Sequence, residues 1–135
     1  MDKQSKKVKI MGTGSYVPKK IYSNEYLESI IDTNSSWIYN TLGIKERRIA
    51  DKNEATSDLA TKAGKIAIEN AKITPDDIDL IIVATATPDR LAPSTACFVQ
   101  DKLKAYNAAA FDIAAVCSGF LFSMSVASEF INSGT

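Results

Sequence analysis

The chain has 135 residues, 45% of them hydrophobic, with 16 Lys+Arg balancing 16 Asp+Glu and no histidine. That is the size of one ordinary domain with enough apolar content for a core, and the charge balance argues against a duplex nucleic-acid binder, which carries a basic excess. The missing histidine matters most: the usual general base at neutral pH is absent, so a mechanism that needs one cannot be completed within these residues.

Two cysteines without a CxxC pair do not make a disulfide scaffold. The start, Met1 to Lys9, is polar and Lys-rich with no signal-peptide core after it, and no apolar run reaches bilayer length. A soluble cytoplasmic protein is expected, with no membrane partner.

Along the chain, Lys7 to Gly12 alternates at Val8 and Ile10, which predicts a first strand ending in Gly12-Thr13-Gly14. Ser23 or Asn24 caps a short helix from Glu25 to about Ile31, with Tyr26, Leu27, Ile30 and Ile31 as its apolar face. A cap-rich loop, Asp32 to Ser36, leads into a helical piece carrying Trp37 and Ile38 that stops near Gly43. Lys45 to Asn53 is charged and expected to be exposed. Ala55 to Asn70 is the clearest helix, with Leu59, Ala60, Ala63, Ile66 and Ala67 at helical spacing. After the Thr74-Pro75-Asp76-Asp77 turn, Leu80 to Ala84 is a β-branched run that predicts a strand buried on both faces. Ser94 to Leu103 reads as a helix, Ala108 to Ala114 as a short buried strand, and from Cys117 a long apolar helix runs to Ser133-Gly134. Alternating strands and helices define an α/β class with a mainly parallel sheet. The chain stops where such a unit would next supply a strand, so an exposed sheet edge and apolar surface are expected.

Cys117 lies between a strand and a helix among small residues, Ala114, Ala115, Ser118 and Gly119. Small residues permit a sharp turn and leave room for a substrate. A helix N-terminus presents unpaired N–H groups and partial positive charge, which favour a thiolate, the nucleophilic form, and can help hold an oxyanion. Taken alone, this spacing fits a buried structural cysteine equally well. Cys97, inside a predicted helix, reads as plain core.

Ala110-Phe111-Asp112-Ile113-Ala114-Ala115-Val116-Cys117-Ser118-Gly119-Phe120 resembles the active-site segment of the β-ketoacyl-acyl-carrier-protein synthase III family. Two other stretches agree in family order: Ser36-Trp37-Ile38 with Gly43 to Ile49, and Thr85 to Pro88 with Pro93-Ser94-Thr95-Ala96. The resemblance runs from about Val8 to Gly134. It implies a thiolase-like fold of two similar βαβαβ halves, with residues 1–135 as an incomplete N-terminal half-domain, about the first two fifths of the enzyme. It also implies a homodimer and no cofactor beyond acyl-CoA as substrate. Cys117 would take an acyl group from acyl-CoA and condense it with malonyl-acyl carrier protein, releasing carbon dioxide. A histidine and an asparagine of the second half would assist, so these residues alone are expected to be inactive.

The resemblance further implies that Trp37 stacks on the adenine of CoA, with packing of a short helix as the alternative. Thr33 falls near the same nucleotide, or serves as a turn or cap residue. Thr41 departs from the family, whose members often place an arginine there against CoA phosphate. Lys45, Arg47 or Arg48 could compensate, or be solvated surface charge. Ala92 stands where some members place a large aromatic at the acyl pocket, and its small size could admit a longer or branched acyl group. Gly12-Thr13-Gly14-Ser15 lacks the remaining residues of a phosphate loop and reads as turn chemistry. Asp76, Asp77 and Asp79 lack calcium-loop spacing, and no zinc-type ligand set is present. A partner-dependent half-protein, a hydroxymethylglutaryl-CoA synthase and a secondary-metabolite synthase are the competing functions.

Overall fold

The computed structural model describes residues 7–134, which fall into two units: Val17–Ala55, and residues 7–16 together with 56–134. The polar start at 1–6 lies outside the described residues.

The smaller unit runs β1 (Lys20–Ser23), α1 (Asn24–Glu28), α2 (Ser35–Leu42), β2 (Glu46–Ile49). The two strands form an antiparallel ladder, Lys20 opposite Ile49 and Ser23 opposite Glu46. Neither strand was legible in the charged, short segments that form them. Ser23 caps α1 by accepting the Tyr26 N–H, but the helix ends at Glu28 rather than Ile31. The Ser29 hydroxyl donates to the Tyr26 carbonyl oxygen at 2.6 Å, a local bond that competes with continued helix. Ile30 and Ile31 are consequently exposed, not part of an apolar helix face. In α2, Asn34 accepts the Trp37 N–H at 3.0 Å, and Gly43 closes the helix in the left-handed conformation (φ 70°) that glycine adopts without steric cost. Arg47 is not a solvated charge: its guanidinium donates to the Tyr22 and Ser23 carbonyl oxygens and, at 2.6 Å, to Oδ1 of the buried Asn24.

The larger unit contains α3 (Thr56–Ala71), a 3-10 turn at Pro75–Asp77, β3 (Leu80–Ala84), α4 (Thr95–Leu103), β4 (Ala109–Ile113), a second 3-10 turn at Val116–Ser118, and α5 (Gly119–Ser133). β3 and β4 are parallel, with Leu80 opposite Ala109 and Ala84 opposite Ile113, and α4 supplies the crossover. Alternation along the strands sorts two faces. Ile81 turns toward α3 and α4, where it joins Ala96, Val99, Leu103, Ala105 and Ala108 in the core. Burying Ile81, Val99 and Leu103 stabilises by about 1.5–3 kcal/mol apiece. The opposite face meets α5, where Phe111 of β4 lies 6.2 Å from Phe130, centroid to centroid.

Three further expectations need correction. Strand β4, expected to be buried, is only half-buried, with Ala109 exposed. No strand forms over residues 7–12, which run without a ladder partner among the described residues. Gly12 and Gly14 instead press against the backbone of α3 at Ala63, Ala67 and Ala71. Strand β3 is not buried on both faces either: only Ile81 is buried, and a groove of about 720 Å³ opens between β3 and α5. Phe120, Leu121, Phe122, Met124 and Ile131 of α5 are exposed, so the expected apolar surface is present. Among the described residues no helix is long and apolar enough to cross a membrane.

Candidate active site

β4 delivers the chain to a sharp elbow. The Ile113 carbonyl oxygen still accepts the Thr85 N–H at 3.1 Å, and Ala114 and Ala115 then leave the sheet. Val116 takes φ +40°, left-handed backbone that a β-branched residue adopts only under strain, on the order of 1–3 kcal/mol. Cys117 sits in the middle of the 3-10 turn, closed by the Ser118 N–H on the Ala115 carbonyl at 3.0 Å. Its thiol is free and exposed. α5 begins two residues later, and no side chain caps its N-terminus. Gly119 is buried, and a methyl there would lie 3.2 Å from Ala84 Cβ, so the helix start is seated close on the end of β3.

Two carboxylates that sequence reasoning missed tie β4, α3 and α4 together. Asp112 of β4 accepts the Thr95 and Ala96 amides at 2.6 and 2.8 Å, capping α4 from another element. Asp89 accepts the Ser57 amide at 2.9 Å and its hydroxyl at 2.5 Å, at the start of α3. Lys102 donates to the Ser57 hydroxyl and pairs with Asp58 at 2.7 Å. Ser57 and Thr95 are completely buried, so these bonds satisfy groups that water cannot reach. The available signal was a charged residue inside an apolar strand, Ala109-Ala110-Phe111-Asp112-Ile113, which demands a partner.

Cys97 is half-buried in α4, its sulfur 3.2 Å from the Ser94 hydroxyl. Ala92 lies exposed in the loop before α4, in the same unit as Cys117. Trp37, Thr33 and Thr41 belong to the other unit. Trp37 is 57% exposed in the first turn of α2. Thr41, also exposed, follows at i+4 and shares its face, while Thr33 is half-buried in the preceding loop. Arg47 is engaged as described, and Arg48 pairs with Glu46 at 3.1 Å, which leaves Lys45 as the basic side chain nearest the position lacking arginine in sequence. Lys45 lines a small polar pocket of about 350 Å³ with Ser36 and Asn40. Among the described residues no group of three or more His, Cys, Asp or Glu is placed to hold a metal ion.

No protein-family model matches the sequence. Over 125 residues the chain is 57% identical to the beta-ketoacyl-acyl-carrier-protein synthase III of Caldanaerobacter subterraneus subsp. tengcongensis, an alignment covering 93% of this chain and 38% of that protein. The crystal structure of 3-oxoacyl-acyl-carrier-protein synthase III from Aquifex aeolicus superposes with a TM-score of 0.89 at 51% identity, covering 93% of this chain and 41% of that one. The priming beta-ketosynthase of the R1128 polyketide pathway superposes at 0.88 with 35% identity, over 93% of this chain and 38% of that one. The partial thiolase-like fold implied by the resemblance is therefore present, and the chain spans about two fifths of the length of the relatives it matches. By sequence and by fold, the chain is similar to the N-terminal part of β-ketoacyl-acyl-carrier-protein synthase III proteins.

Proposed function

We propose that Cys117 is the acyl acceptor of a type III condensing enzyme. The observation that carries this is an exposed thiol on a strained strand-to-helix elbow, ahead of a helix whose first amides have no side-chain cap. The sulfur attacks the thioester carbonyl of acyl-CoA, CoA leaves as its thiol, and the acyl group stays on Cys117. The Ser118 and Gly119 amides close the turn on the Ala115 and Val116 carbonyl oxygens, so the Cys117 amide is the elbow donor assigned to the developing oxyanion. Trp37 offers an indole face to the adenine of CoA, with Thr33 and Thr41 beside it, and Ala92 leaves room at the acyl end. Condensation with malonyl-acyl carrier protein then needs the histidine and asparagine expected from a second half, in a cytoplasmic homodimer. The residues present here are acylated but do not turn over. A secondary-metabolite condensing enzyme would use the same thiol. The higher identity to the Aquifex aeolicus enzyme than to the polyketide priming synthase, 51% against 35%, favours the type III assignment.

Incubation with acetyl-CoA followed by peptide mass spectrometry tests this. One acyl group should appear on Cys117, none on Cys97, and none anywhere in Cys117→Ala. Absence of label from a folded chain would overturn the acyl-acceptor assignment. Formation of a β-ketoacyl product by this chain alone would overturn the requirement for further residues.

A further inference from the structure

We propose that Asp112 is a positioning residue for Cys117, holding the elbow from the strand side while the Gly119–Ala84 contact holds it from the helix side. The inference deepens the acyl-acceptor assignment and rests on it for its functional meaning. Its starting point is Val116. This strained residue is 78% exposed, so its own packing does not impose the left-handed conformation. Ala114 and Ala115 beside it carry no polar side chain that could do so. Strain of this kind persists only where the surroundings over-determine the backbone. The constraint must therefore come from the flanks.

On the strand side, the last residues of β4 are tied twice. The ladder to β3 continues through the Thr85 amide, and the Asp112 carboxylate grips two successive amides at the start of α4, at 2.6 and 2.8 Å. Charge-assisted bonds to both oxygens fix the carboxylate in position and orientation. The grip extends further, since the hydroxyl of the buried Thr95 accepts the Asp89 amide and the Asp89 carboxylate holds Ser57 of α3. On the helix side, Gly119 lies so close to Ala84 that an added Cβ would stand 3.2 Å from the Ala84 Cβ, which seats the start of α5 on the end of β3. Between the two anchors lie only six residues, which must reverse direction. Releasing either anchor lets Val116 relax to an ordinary negative φ and carries Cys117 away from its place before α5.

The test compares Cys117 modification rates in Asp112→Asn, Asp112→Ala, Gly119→Ala and a core control, Leu103→Val, chosen to lower the thermal midpoint comparably without touching either anchor. Two electrophiles are used, iodoacetamide and acetyl-CoA, each read by peptide mass spectrometry. Asp112→Asn keeps one acceptor and should slow Cys117 modification by both reagents about tenfold, with the half-saturating acetyl-CoA concentration unchanged. Asp112→Ala should slow it more, and the control should stay within about twofold of the parent. Equal rates in folded Asp112→Asn and the parent, or the same slowing in Leu103→Val, would overturn the proposal. If both Asp112 variants fail to fold, Gly119→Ala decides, with slowing expected and an unchanged rate fatal. A parent chain that reacts with iodoacetamide but not with acetyl-CoA refutes the acyl-acceptor assignment alone, and the Asp112 comparison with iodoacetamide still reads positioning.

Discussion

Two glycine-to-alanine substitutions, one facing α3 and one within it, should act in opposite directions. At Gly14 an added methyl would overlap the Ala63 carbonyl oxygen and stand 2.5 Å from the Ala67 nitrogen and 3.0 Å from Ile66 Cβ. Carbon contacts are comfortable at roughly 3.5–4 Å, and helix backbone cannot rotate aside, so residues 7–16 must retreat by about 1 Å. Overpacking of this kind costs about 1–3 kcal/mol. The retreat also strains the bond from the Asn70 side chain to the Thr13 carbonyl oxygen, 2.8 Å long, whose loss costs about 1 kcal/mol more. At Gly64, inside α3, the added methyl meets only the Leu103 side chain at 3.4 and 3.8 Å. Ordinary contact plus improved helix propensity should stabilise by about 0.5–1 kcal/mol. Urea unfolding followed by circular dichroism separates the two, because a slope of about 1–3 kcal/mol per molar converts the difference into a midpoint gap of about 1 M or more. Midpoints that move in the same direction, or a Gly14→Ala midpoint equal to the parent's, would show that the segment is not pressed on the helix as described.

The remaining predictions concern the Thr74–Asp77 turn and Trp37. The Asp77 carboxylate accepts the Thr74 amide and hydroxyl, both at 2.8 Å, and these bonds, the backbone one foremost, hold its pKa below the ordinary 3.8. A carboxyl group with a lowered folded value contributes stability above its unfolded value and loses it as pH falls through the folded one. Asp77→Asn should therefore lower the thermal midpoint at pH 7 and converge with the parent below pH 3.8; a gap independent of pH would refute the assignment. Trp37→Ala should leave stability within about 0.5 kcal/mol, as expected for an exposed side chain, yet weaken CoA binding, measured by calorimetry, by roughly tenfold or more if the indole stacks on adenine. Unchanged CoA affinity would return Trp37 to a packing role.

The parts of this molecule that were legible in sequence are those where local chemistry and long-range packing agree. The run Leu80 to Ala84, with β-branched Ile81, Ile82 and Val83 at its centre, forms β3 without a shifted boundary. Asn34 and Gly43 bracket α2 because each satisfies a helix end locally. The small residues around Cys117 announced a turn, and the three ordered motifs carried the resemblance to type III synthases. β1 and β2 were illegible because their stability comes from pairing with each other and from Arg47 reaching back across the ladder. The Gly12-Thr13-Gly14 pattern was visible but its cause was not, since neither glycine has positive φ and what they accommodate is a helix some fifty residues away in sequence.

Sequence by itself determined where α2 stops, the parallel pair β3 and β4, and the presence of a thiol between strand and helix, since these follow from residue type and spacing over a few positions. Only the tertiary structure decided that Val116 carries the strain and that Asp112 caps a neighbouring helix. Each of these depends on which groups meet across the fold, and a buried carboxylate or a tight glycine acquires its meaning from the atoms facing it.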